Sequence, residues 1–184
     1  MTDYFALLGA ARRPWLDPDE LKEKYFERTR AAAVDAELNE AFRVLSDPKL
    51  RLHHLLTLEG AELTAGRPVP PAVAELFWNT GPLLREIDRW LLRSAEATSA
   101  LSRALLSGEG AKLTSRLQAL EAQLNMAYEA EIEQLRQIDH GALPDDRAEL
   151  VRLHDSISYL TRLRDQVKEK QLRLTMEAPG NQTA

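Results

Sequence analysis

A chain of 184 residues suits one ordinary domain or two small ones packed together, and can bury about two-thirds of its unfolded surface. A net charge of −5 does not favour non-specific binding to nucleic acid or anionic membrane, and no apolar run reaches the ~18 residues of a membrane-spanning helix. Cysteine is absent, which removes disulfides, thiolate metal sites and thiol nucleophiles together.

The start, Met1-Thr2-Asp3-Tyr4, is acidic and lacks the basic region of a secretory signal, so the expected compartment is the cytoplasm. Residues 2–9 form a short apolar helical segment stopped by Gly9. Asp17 then offers a cap for a second helix, with Pro18 at its first position and Glu20 three residues on. Leu21, Tyr25 and Ala32 recur at helical spacing and carry that helix to about Ala33. A third helix holds Leu38, Ala41, Phe42 and Leu45 and ends at Ser46-Asp47-Pro48. A fourth starts at Pro48 and carries Leu52, Leu55, Leu56 and Leu58 up to Gly60.

Glycines and prolines crowd residues 60–71, so 61–71 reads as a linker. Beyond it the patterns lengthen. One stretch holds Leu76 and Phe77, a break at Gly81-Pro82, then Leu84, Ile87, Leu91, Leu101 and Leu105. Gly108 and Gly110 are expected to divide it from a second, with Leu113, Leu117, Leu120, Leu124, Tyr128, Ile132 and Leu135. After Gly141 and Pro144 a third stripe follows: Leu150, Leu153, Ile157, Leu160 and Val167. Steps of three and four put each stripe on one helix face, and long amphipathic helices joined by short turns make an antiparallel bundle. Residues from 177 on are polar and expected to fray.

Catalytic and metal templates fail. None of His53, His54, His140 and His154 has a glutamate three residues before it, so the Glu-x-x-His pairs of di-iron bundles are missing. His53 and His54, as helix neighbours, point about 100° apart and suit one metal poorly. Gly108-Glu109-Gly110-Ala111-Lys112 fits neither phosphate-loop spacing and reads as a turn between helices. His154, Asp155 and Ser156 are consecutive and diverge, unlike a triad. Glu129 and Glu133 read as a solvated face. No enzyme, cofactor or metal is expected.

The order of segments in the first sixty residues is more informative. Asp3-Tyr4-Phe5-Ala6-Leu7-Leu8-Gly9, then Leu21 to Phe26, then Asn39-Glu40-Ala41-Phe42-Arg43-Val44-Leu45-Ser46-Asp47-Pro48 resembles a J domain. The continuation from Leu50 to Gly60 is similar to the HscB-type co-chaperones of iron–sulfur cluster assembly. The run from Arg147 to Leu163 is similar in register to that family's final helix. The resemblance implies an all-α chain: a J-like domain over 1–60, the linker, a bundle of about three long helices over 72–176, and a disordered tail over 177–184. It implies two protein partners: a DnaK-type chaperone whose ATPase the J domain stimulates, and the scaffold protein on which the cluster is built.

One departure is large. Where J domains carry His-Pro-Asp between their second and third helices, this chain reads Ala33-Val34-Asp35, and the longer loop of the HscB type is missing. The ATPase-stimulating role is thereby left without its trigger. By resemblance, Lys24, Arg28 and Asp35 would face the chaperone. Asp35 is equally a plain helix cap, and with four basic and four acidic residues over 18–30 the second helix is equally a solvated surface. Leu76, Phe77, Trp78 and Tyr159 fall where the family meets its scaffold, or are core. Two functions stay open: a J-like co-chaperone or scaffold-binding factor, and an interaction adaptor that kept the architecture without chaperone coupling.

Overall fold

A computed structural model describes residues 1–31, 35–61, 63, 69–140 and 147–177. Within them the fold is all-α: α1 (Tyr4–Leu8), α2 (Pro18–Ala31), α3 (Ala36–Ser46), α4 (Pro48–Leu58), α5 (Pro71–Glu96), α6 (Ala100–His140) and α7 (Arg147–Glu177). The expected end of α2 near Ala33, most of the expected linker and the tail after 177 lie outside the described residues. The chain forms two compact units, 1–68 with 130–158 and 69–129 with 159–184, so α6 and α7 each supply one stretch to both.

Local chemistry sets the ends of the short helices. Asp3 caps α1 by accepting the Phe5 and Ala6 N–H groups, and Gly9 closes it at φ 66°, a conformation that costs glycine least. Asp17 Oδ1 accepts from the Asp19 and Glu20 backbones at 2.9 and 3.1 Å, the cap expected for α2. Asp47 accepts the Leu50 N–H at 2.9 Å while Pro48 takes the first turn of α4, where its missing N–H costs nothing.

In the first unit, Phe5, Leu8, Leu21, Leu38, Ala41, Leu45 and Leu55 form one buried cluster. α2 packs on α3 through Tyr25, which stacks on Phe42 at 4.4 Å and donates its hydroxyl to Asn39 at 2.6 Å. Arg51, only 3% exposed, donates to Pro14 O at 3.0 Å and Leu45 O at 2.6 Å, tying α4 to the end of α3 and to the loop before α2. Burying that charge is tolerable only because such partners replace its water. Arg136 of α6 lies over the Trp15 ring at 4.5 Å, adding a cation–π contact within this unit. Arg152 of α7 forks onto Glu149 at 2.7 Å and reaches the buried Glu131 of α6 at 3.2 Å.

The second unit packs α5, α6 and α7 around Val73, Ile87, Trp90, Leu113, Leu117, Leu124, Leu160 and Val167. Ion pairs Glu86–Arg116 and Arg93–Glu109 run α5 against α6 in opposite directions. Gln171 donates to Glu121 at 2.6 Å between α6 and α7, and Lys170 pairs with Asp88 of α5.

Three sequence expectations are corrected here. The break at Gly81-Pro82 is absent, because α5 continues through it. Pro82 sits on the exposed side, where the Trp78 carbonyl it leaves without a helical donor can reach water. Gly108 and Gly110 do not separate two helices; they lie inside α6. The turn instead falls at 97–99, where Ser99 Oγ accepts the Ser102 N–H at 3.0 Å. Gly110 serves a close approach: a Cβ there would stand 2.5 Å from Trp90 Cζ2. Its absence lets the indole lie against α6 and donate to Leu106 O at 2.9 Å. Finally, Leu101 and Leu105 leave the core stripe, at 72% and 70% exposed. The Arg93–Glu109 pairing sets Glu109 beside the last turn of α5, so Leu101 and Leu105, earlier on α6, lie toward and past the α5 end.

Gly110→Ala should cost about 1–3 kcal/mol in chemical denaturation, since the indole must shift. Gly108→Ala, with nothing within 4 Å of the added carbon, should instead stabilise by about 0.5–1 kcal/mol. Equal effects of the two would contradict the close-approach role. Leu160, fully buried as the stripe predicts, should cost about 2–5 kcal/mol on truncation to alanine, read as a lowered melting temperature.

Candidate functional site

Consecutive helix residues step by about 100°, so Leu76, Phe77 and Trp78 cannot all face the core. Leu76 is half-buried against the bundle core, whereas Phe77 and Trp78 are 37% and 72% exposed. Their rings meet edge to face at 5.4 Å, a favoured aromatic geometry. Thr80, the next inward position, is buried and donates its hydroxyl to Leu76 O at 2.6 Å, satisfying itself within the helix. A concavity of about 310 Å³ opens beside the pair, lined by Phe77, Trp78, Pro82 and Arg85 of α5 and Leu163 and Gln166 of α7. Arg85 lies along Gly81: a Cβ on that glycine would be 3.3 Å from its guanidinium. Tyr159, one turn before Leu163, packs half-buried on the same core.

Of the residues matched to the family's scaffold contacts, Phe77 and Trp78 form a surface, while Leu76 and Tyr159 contribute mainly to packing beneath it. Arg85, Leu163 and Gln166 were not singled out from sequence. Arg85 follows Trp78 by two helical turns and could have been placed on its face by spacing. Leu163 and Gln166 depend on how α7 pairs with α5, which no local pattern reveals.

The residues matched to chaperone contacts lie in the first unit. Lys24 is half-buried and 3.5 Å from Glu20, one turn earlier on α2. The Arg28 guanidinium lies against Gly9, within 3.0 Å of where a Cβ would be, at the carbonyl end of α1. A cation suits that end of a helix. Asp35 accepts the Glu37 N–H at 2.6 Å as the cap of α3. Ala33 and Val34, the other two positions of the tripeptide register, lie outside the described residues.

Other reactive groups are engaged in structure. Among the described residues no group of three or more His, Asp or Glu could hold a metal. His53 is exposed and its ring lies 5.5 Å from that of His154, whose Nδ1 is 3.2 Å from Asp155. Glu133 pairs with Arg136 at 3.1 Å. The Arg152 hydrogen bond holds the Glu149 carboxyl below its ordinary range. A larger concavity of about 680 Å³ beside Trp15 mixes Lys24 and Arg136 with Asp17 and Glu20, and Asp17 is already the cap of α2. No described helix is long and apolar enough to cross a membrane.

If Asp35 acts as a cap, Asp35→Ala should lower stability by about 0.5–2 kcal/mol, and Asp35→Asn by only a few tenths. Equal losses in urea denaturation would show that the charge matters more than the cap. No protein-family model, no curated protein and no solved structure matches the chain, so its functional reading rests on its own residues.

Proposed function

We propose that the chain is a J-like adaptor that binds proteins and has no reactive centre, a scaffold-binding factor resembling those of iron–sulfur cluster assembly. Its ATPase-stimulating motif has been lost. One observation carries this reading: Trp78 and Phe77 are held outward on a rigid helix beside a concavity. A large exposed aromatic on a fixed backbone loses little entropy on binding and is the residue type that most often anchors an interface. The partner proposed is the cluster scaffold protein, met in the cytoplasm.

A second reading, an adaptor for an unrelated partner, draws support from the first unit. Lys24 pairs within α2, Arg28 lies against the end of α1, and Asp35 caps α3. Lys24 and Asp35 are thus engaged within the fold while Arg28 stays exposed, which favours lost chaperone coupling. Both readings share the aromatic pair and differ in what it meets.

Titration of a purified cluster scaffold against the chain, followed by calorimetry, tests the first reading. Binding should weaken at least tenfold, about 1.4 kcal/mol, in Trp78→Ala, with the melting temperature unchanged because the side chain is exposed. No binding by the native chain would remove the first reading and leave the second. ATP hydrolysis by a DnaK-type chaperone should be unaltered by the native chain; clear stimulation would show that coupling survives without the tripeptide.

A further inference from the structure

α1 has five residues, too few to stand alone, and the way its first amide is satisfied is unusual. Asp3 serves the Phe5 and Ala6 N–H groups. The Tyr4 N–H, the first of the helix, donates instead to Nε2 of His54 on α4, at 3.1 Å across fifty residues of sequence. The imidazole is 4% exposed and stacks on Tyr4 at 4.6 Å and Phe5 at 5.7 Å. An Nε2 that accepts a backbone N–H carries no proton, so this contact exists only for neutral histidine.

We propose that His54 is a proton-sensitive latch holding α1 on α4. A proton on Nε2 sets two donors against each other, breaks the Tyr4 bond and leaves the first N–H of α1 unsatisfied. With Phe5 and Leu8 the only fully buried side chains of α1, mild acid would then open it from the faces of α3 and α4 that it covers.

The surroundings keep the latch closed near neutrality. Burial lowers the proton affinity of His54 below the ordinary histidine value, and His53 and Arg12 act in the same direction, while Asp3 opposes them. Asp3 and Arg12, bonded to each other at 2.6 Å, are the charged pair beside α1. On α3, Glu37 accepts from Thr2 at 2.7 Å. From α7, His154 with Asp155 faces His53 rather than His54. Because the folded value is depressed, the contribution of His54 is complete above about pH 6.5 and declines as pH falls below it, where the opened form binds the proton more readily. Asp3 stays ionised through that window, since burial raises its pKa but Arg12 and the two α1 amides bring it below the ordinary carboxylate value.

Amide exchange of Tyr4, corrected for intrinsic rate, tests the latch on the full chain. Protection should fall between about pH 7.5 and 5.5, by up to about tenfold per pH unit below 6.5. The fall should be absent in His54→Gln, whose side-chain carbonyl can accept at either pH, and should persist in His53→Gln with its midpoint moved slightly upward, since one lowering neighbour is gone. Flat protection in the native chain, or a fall that survives His54→Gln, overturns the proposal. If His54→Gln does not fold, the native His54 ring shift by NMR decides: a midpoint at or above the ordinary histidine value rejects the latch, and one below it supports it.

Discussion

The indole of Trp90 rests against backbone that only glycine exposes, and much of the second unit follows from that contact. It brings α5 within hydrogen-bonding distance of α6 at Leu106, and the Glu86–Arg116 and Arg93–Glu109 pairs extend the same register. With Trp90, Ile87 and Leu83 committed inward, the angular position of every other α5 side chain is set. Phe77 and Trp78 therefore face outward as a consequence of packing farther along the helix. The aromatic surface belongs to a rigid element, and a rigid element is what a binding site needs.

In the first unit, several polar side chains set where helices begin and meet. Arg51 is buried to hold two carbonyls, Arg152 gathers Glu131 and Glu149, and Asp3, Asp17, Asp35 and Asp47 all cap helices. Such arrangements specify where short helices begin and how they meet. Both units use charges between helices, and the second also exposes the large apolar side chains Trp78, Leu101 and Leu105.

Much of this was legible in the residues. Caps and stops are local, so Gly9, Asp17-Pro18 and Asp47-Pro48 could be read without knowing the fold, and the leucine stripes over 113–135 and 150–167 marked buried faces. What failed were features whose meaning lies elsewhere in the chain. Gly108 and Gly110 look like breakers until Trp90 is known to occupy the space beside one of them. Gly81-Pro82 looks like a break, yet α5 carries the lost hydrogen bond and the crowding of the Trp78 carbonyl, held through it by the buried residues on either side. Leu101 and Leu105 keep the spacing of core residues but lie where α5 ends. At the site, the divergence of Leu76, Phe77 and Trp78 followed from helix geometry, whereas Leu163 and Gln166 required the pairing of α5 with α7.

The outward face of α5 is the binding surface proposed above. Hydrogen–deuterium exchange of the whole chain, alone and saturated with purified cluster scaffold, reads that face directly. Slowed exchange should concentrate in residues 76–85 and 159–166. Protection confined to residues 18–46, or spread evenly over both units, would contradict it.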